Sequence, residues 1–258
     1  MSEYTNQHGT FCWLDLATTD TAGAKKFYTE VFGWEIMDIP VGENMVYTML
    51  NLNGKPVAAL SDMQPDQKAM NIPSYWTSYV AVDNAAEIME KVAENGGTIV
   101  MPVMQIMEEG SMGIIQDPGG AFLGVWQALN MTGFAYYGEP GSVCWFEHGC
   151  HDRDKAIPFL EKTFGWKSET SQMGDNLYTT FMLGDKMVAG LYQMTPDMAS
   201  IPSHWLPYFG IANIDNALDK VAELGGNIIM PKMFVGGVGH FAVVQDPQGG
   251  VFGLLQGE

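Results

Sequence analysis

The chain has 258 residues, 47% of them hydrophobic and 16% charged, a composition that describes a folded protein of one large or two ordinary domains. Its 12 Lys and Arg face 30 Asp and Glu, a formal net charge of −18, which excludes a basic surface for nucleic acid and argues against docking on anionic membranes. Residues 1–10 are polar and lack the pattern of a signal peptide, and no apolar run reaches the roughly 18 residues needed to span a bilayer, so a cytoplasmic protein is expected.

In chain order, residues 11–17 read as a short apolar strand ended by Thr18-Thr19-Asp20. Asp20 is placed to cap a helix through Val31 that stops at Gly33. Three strands follow near residues 34–41, 45–51 and 56–62, with turns at Gly42 and Asn53-Gly54. A strand over 75–82 leads into a helix over 84–94, where Asn84 and Glu87 fit a capping box and Gly96-Gly97 forms the stop. Strands near 98–101, 112–116 and 122–127 complete the unit. The second half reads alike, except that Pro158 falls inside its first helix, which therefore begins late, near Asp154, or is kinked.

The halves repeat one another. Gly9-Thr10-Phe11-Cys12-Trp13 returns as Gly141-Ser142-Val143-Cys144-Trp145, and Phe32-Gly33-Trp34 as Phe164-Gly165-Trp166. Ile72-Pro73-Ser74, Gly96-Gly97, Met101-Pro102 and Gln116-Asp117-Pro118 return in the same order as Ile201-Pro202-Ser203, Gly225-Gly226, Met230-Pro231 and Gln245-Asp246-Pro247. The segment from about residue 128 to 140 is the natural linker. Cys12, Cys144 and Cys150 are odd in number and lack Cys-x-x-Cys spacing, so neither a disulfide framework nor a zinc knuckle is expected. The 19 methionines read mainly as core filler.

Trp13-Leu14-Asp15-Leu16, Asp20, Phe27-Tyr28, Phe32-Gly33-Trp34, Val82-Asp83, Gly96-Gly97, Asp117-Pro118 and Gly120, in a pattern given twice, resemble the vicinal oxygen chelate superfamily of glyoxalases, bleomycin-resistance proteins and extradiol dioxygenases. The resemblance implies an α+β fold with two tandem domains, residues 1–130 and 138–258. Their four βαβββ units would form two cup-shaped sheets with helices outside. Cups form either within a domain or by exchange of halves between domains, and both arrangements stay open. Metal-bearing members take ligands from the first, fourth, fifth and eighth strands. Those positions fall here on Trp13, Ala59, Thr77 and Gly124, and on Trp145, Gly190, Leu206 and Gly253, a set without the nitrogen and oxygen donors that a divalent ion needs, apart from the weak Thr77 hydroxyl.

Strand alternation fills the cups instead. With Trp13 inward, Phe11 and Asp15 follow, and in the second copy Val143, Trp145 and Glu147 do so, while Cys144, Phe146 and His148 point out. Tyr75, Thr77 and Tyr79 face one cup; His204, Leu206 and Tyr208 face the other; Phe122 and Trp126 join Gly124. A bulge would reverse any of these assignments. The expected ligand-binding residues are thus Trp13, Asp15, Tyr75, Tyr79, Trp126, Trp145, Glu147, His204 and Tyr208, with Glu147 and His204 the candidates for catalysis. Core filling by the aromatics and strand-end exposure of the acids explain the same residues without a ligand. The run from Glu147 to Asp152 matches no standard metal spacing, and helix capping by His151 or Asp152 accounts for it. His240 lies in a glycine-rich loop without a phosphate motif, and His8 in the polar tail.

The expected function is binding of a small organic molecule in one or both cups without the family metal and with no cofactor, by a sequestering or resistance-type protein or a metal-independent enzyme. Two alternatives stand beside it. One is a metal-dependent lyase or dioxygenase holding Zn, Ni, Fe or Mn through Asp15, Glu147, His148, His151 or His204. The other is a duplicated scaffold for protein partners. Neither nucleic acid nor membrane is expected as a partner, and a homo-oligomer is left open.

Overall fold

A computed structural model describes residues 4, 6–42, 45–174 and 176–258; residues 1–3 and 5 of the polar start lie outside the described residues. The first half runs β1 (Phe11–Thr18), α1 (Thr21–Phe32), β2 (Glu35–Val41), β3 (Met45–Leu52), β4 (Lys55–Asp62), α2 (Pro65–Ala69), β5 (Tyr75–Ala81), α3 (Ala85–Glu94), β6 (Thr98–Ile106), β7 (Gly110–Gln116) and β8 (Phe122–Ala128). The second runs β9 (Val143–Cys150), α4 (Arg153–Phe164), β10 (Lys167–Met173), β11 (Asn176–Leu183), β12 (Lys186–Gln193), β13 (His204–Gly210), α5 (Ile214–Glu223), β14 (Asn227–Val235), β15 (Gly239–Gln245) and β16 (Val251–Gly257).

Each half forms its own eight-stranded sheet, in the order β2-β3-β4-β1-β5-β8-β7-β6 and β10-β11-β12-β9-β13-β16-β15-β14. The question of exchange is thereby resolved: both βαβββ units of a cup come from the same half. The local signals hold where a side chain can cap or a backbone can turn. Asp20 accepts from the Gly23 amide, and Gly33 closes α1 with φ 71°. Asn84 accepts from the amides of Ala86 and Glu87, but Glu87 returns to the Asn84 side chain rather than to its backbone. Asp152, not His151, caps α4, which begins at Arg153 and carries Pro158 inside it. The short α2 went unseen because five residues carry no periodicity. The strand expected over 98–101 runs on to Ile106 despite Pro102, because β6 is a sheet edge and bulges twice there.

The repeated motifs join the halves. The Trp34 indole donates to Gly141 O at 2.6 Å, and the Trp166 indole donates to Gly9 O at 2.7 Å, so each half clasps the chain entering the other's first strand. Gly96 and Gly225 both take φ 83°, while a Cβ on Gly97 would meet Phe159 of α4 at 2.6 Å and one on Gly226 would meet Phe27 of α1 at 3.1 Å. The second glycine of each pair thus makes room for a helix of the other half. Phe11 was expected in the cup, but a bulge between Phe11 and Trp13 reverses its face. Its ring stacks on Phe146 instead, with centroids 3.9 Å apart, at the centre of the seam. Val143 lies beyond the matching bulge of the second sheet. The Asp117 and Asp246 carboxylates each organise their own turn with one oxygen and cross the seam with the other. Asp117 meets His148 at 2.5 Å, and Asp246 accepts from the Tyr28 hydroxyl at 2.8 Å.

Candidate functional site: two cups with a carboxyl between phenols

Pairing register sets the floor of each cup. Asp15 lies between Ala59 on β4 and Thr77 on β5, and Tyr79 lies between Trp13 and Gly124. In the second cup Glu147 lies between Gly190 and Leu206, and Tyr208 between Trp145 and Gly253. The acid therefore occupies the middle of the positions where metal-bearing relatives carry ligands. A Cβ on Gly124 would sit 2.1 Å from the Tyr79 ring, and one on Gly253 would sit 2.1 Å from the Tyr208 ring. Glycine is present on the eighth strand because a phenol ring fills the space above it.

In the first cup the Trp13 indole donates to the Tyr47 hydroxyl at 2.8 Å. Tyr47 and Tyr79 both donate to Asp15 Oδ2, at 3.4 and 3.3 Å. Burial pushes the Asp15 carboxyl up to about 7, against the opposing effect of the two phenols. In the second cup the Trp145 indole donates to Tyr178 at 3.0 Å, Tyr178 donates to Glu147 Oε1 at 2.9 Å, and Tyr208 donates to Oε2 at 3.0 Å. Burial raises the Glu147 carboxyl as well, again opposed by the phenols. All four phenols are held above their ordinary range by burial and remain protonated donors at neutral pH.

Tyr47 and Tyr178 were missed in the sequence. Both stand on the third strand, at the cup-facing positions that alternation from Met45 or Asn176 assigns, and a Tyr-Thr pair recurs there. Tyr192 on β12 was missed too; it shares Glu147's surroundings, and its ring faces the same cup.

The expected set divides. Trp13, Asp15 and Tyr79 meet in one cup; Trp145, Glu147 and Tyr208 meet in the other. Tyr75 stands at the lip of the first cup, where its hydroxyl accepts from the Gln67 amide at 2.8 Å. Trp126 lies at the far end, over Gly110, with its indole tied to Met131 O at 2.8 Å. His204 is not hydrogen-bonded to Glu147: it pairs in register with Gly149, two residues along, and its Nδ1 bonds Pro202 O at 2.9 Å. His148 points away from the cup to Asp117, and His151 bonds Ile201 O.

These residues do not fit the family's metal. Each cup presents one carboxyl, already engaged by two phenols, and the four ligand positions are Trp13, Ala59, Thr77 and Gly124, or Trp145, Gly190, Leu206 and Gly253. No group of three or more His, Cys, Asp or Glu is placed to hold a metal among the described residues. A carboxyl that holds its proton more tightly than an exposed one, beside phenols and an indole, can grip a polar ligand atom or move a proton.

Two cups built from paired βαβββ units define a glyoxalase-type fold. The model of the Glyoxalase/Bleomycin resistance protein/Dioxygenase superfamily matches residues 10–125 and 145–253, and the chain belongs to that superfamily. It is 39% identical over 258 residues to "Putative glyoxylase CFP32" of Mycobacterium tuberculosis, covering 99% of this chain and 97% of the relative. It is 30% identical over 230 residues to the "Anthracycline biosynthesis protein DnrV" of Streptomyces peucetius, covering 85% of this chain and 83% of the relative. Among solved structures, the Mn(II)-bound glyoxalase from Novosphingobium aromaticivorans superposes with a TM-score of 0.67 at 14% identity, covering 97% of this chain and 82% of that one, a likeness of fold. No helix among the described residues is long and apolar enough to cross a membrane.

Proposed function

We propose that the cups bind a small planar organic molecule, held against the indole and gripped by the carboxyl–phenol cluster, and that the work is done without the metal of the wider family. The observation that carries this reading is the recurrence of one assembly, indole to phenol to carboxyl to second phenol, on the floor of both cups. Core filling alone asks for no buried acid, since a carboxyl there costs free energy that an apolar side chain would avoid. The relative named for anthracycline biosynthesis supports a polycyclic aromatic ligand. The second cup is the stronger candidate, because Trp145 is half-buried where Trp13 is only 4% exposed.

The test is calorimetric titration with a hydroxylated anthraquinone, preceded by a thermal-shift screen of planar aromatics. Trp145→Ala, which removes the wall, and Glu147→Gln, which keeps the shape and removes the acid, should each weaken binding about tenfold or more, with folding retained by circular dichroism. Wild-type affinity in both variants would reject the cup around Glu147. Elemental analysis of protein purified without chelator supplies the second arm. A stoichiometric metal that disappears in Glu147→Gln would overturn the metal-free part of the reading.

A further inference from the structure

At one end of the second cup's floor β9 carries Gly149, where the first cup has Ala17. A Cβ on Gly149 would come within 2.8 Å of both the Tyr192 hydroxyl and His204 Cε1, and within 3.1 Å of His204 Nε2. Bare backbone therefore lets a phenol from β12 and an imidazole from β13 converge over the central strand, in register with Gly149 and on the face that carries Glu147. The first cup has Ser61 and Tyr75 at these places, and the Tyr75 hydroxyl is already engaged by Gln67.

The protonation of the pair follows from its surroundings. The Pro202 carbonyl can only accept, so His204 Nδ1 carries the proton, and burial lowers the imidazole's pKa and favours the neutral ring. Nε2 is then a lone pair. Burial raises the Tyr192 phenol to about 12, so it remains an O–H. Neither Nε2 nor the Tyr192 hydroxyl has a hydrogen-bond partner among the described residues, although both stand half-buried in a cup whose Glu147, Tyr178 and Tyr208 are paired with one another.

We propose that Tyr192 and His204 form a hydroxyl-recognition site at the lip of the second cup, specific for an uncharged O–H on the edge of a planar ligand, and that the first cup lacks it. The inference rests on the reading of the second cup as a ligand site. A ligand hydroxyl donates to Nε2 and accepts from Tyr192, satisfying both groups at once. An ether or ketone oxygen only accepts and leaves Nε2 unpaired, which costs affinity in a half-buried site. A phenolate would set its charge against the lone pair and near Glu147.

Titration of the whole protein with 2-naphthol and with its methyl ether, followed by calorimetry, tests the pair directly. The naphthol should bind wild type roughly tenfold more tightly than the ether. His204→Phe should bring the naphthol down towards the ether's affinity and leave the ether's own binding nearly unchanged, whereas Tyr192→Phe, which removes the donor that both oxygens accept from, should weaken both probes and preserve their ratio. Equal binding of the two probes by wild type, with both weakened by Trp145→Ala, overturns the hydroxyl site while sparing the cup as an aromatic site. Equal weakening of both probes by His204→Phe assigns the imidazole a general packing role and also overturns it. Absence of binding by either probe rejects the aromatic site itself, and this inference with it.

Discussion

The two cups share a floor plan and differ in the row of residues that crosses the acid. In the first cup that row reads Met37, Met49, Ala59, Asp15, Thr77; in the second it reads Glu169, Thr180, Gly190, Glu147, Leu206. One wall is apolar beside a short acid, the other polar beside a longer one. A Cβ on Gly190 would stand 1.8 Å from the Tyr178 hydroxyl, so the loss of one methyl relative to Ala59 lets that phenol settle over the strand. There it donates to Glu147 at 2.9 Å, against 3.4 Å for Tyr47 and Asp15. The second cup spreads its phenols over both carboxyl oxygens; the first crowds two on Oδ2. Gly190 and Gly149 retune the second cup by letting Tyr178, Tyr192 and His204 settle over β12 and β9, while the indole, the acid and its two phenols recur in both cups.

The largest effect that would break this comparison concerns the indoles. Trp13→Ala should cost about 3–5 kcal/mol of folding stability in denaturant titration, as for a fully buried aromatic, whereas Trp145→Ala should cost clearly less and fall mainly on ligand binding. Equal losses would mean that the two tryptophans play the same packing role.

Asp15 gives the next effect. Its folded pKa, about 7, lies above the unfolded carboxyl's 3.8, so the native state holds the proton more tightly. Stability from this group is therefore fully present below about pH 4 and is lost as pH rises towards 7. Asp15→Asn, which cannot ionise, should gain on wild type across that window by about 1–2 kcal/mol, residual water contact screening the rest. A flat difference from pH 4 to 7 would show that the carboxyl is not held protonated.

The smallest effect belongs to Gly190→Ala. It should change stability by under about 1 kcal/mol, because a phenol hydroxyl is the far end of a movable side chain. It should nevertheless raise the Glu147 titration midpoint, followed by carbon NMR, since the Tyr178 hydrogen bond that opposes burial is stretched. An unmoved midpoint would remove Gly190 from the explanation.

Much of this was legible in the sequence. Asp20, Gly33, Asn84 and the glycine pairs act locally, and local chemistry leaves its mark on neighbouring residues. Trp13, Asp15 and Tyr79 followed from period-two alternation. Phe11 did not, because a bulge reverses a face and leaves no trace in a five-residue run. Tyr47 and Tyr178 needed β3 and β11 to be aligned as carefully as the first strands were. The separation of Glu147 from His204 is a matter of register between β9 and β13, which alternation alone does not set. The meaning of Phe32-Gly33-Trp34 lies in the opposite half of the chain, where no single unit can reveal it.

That clasp of Trp34 on Gly141 and Trp166 on Gly9 has a kinetic side. Two separate units bearing such a seam would associate in a second-order step, and dilution would drive them apart. Joined by the tether between β8 and β9, they meet at an effective concentration in the millimolar range, whatever the protein's abundance. Identical subunits in a homodimer must change both cups with every substitution. A tethered pair is free of that symmetry, so one cup can acquire a glycine while its twin keeps an alanine, and the seam that unites them is left untouched.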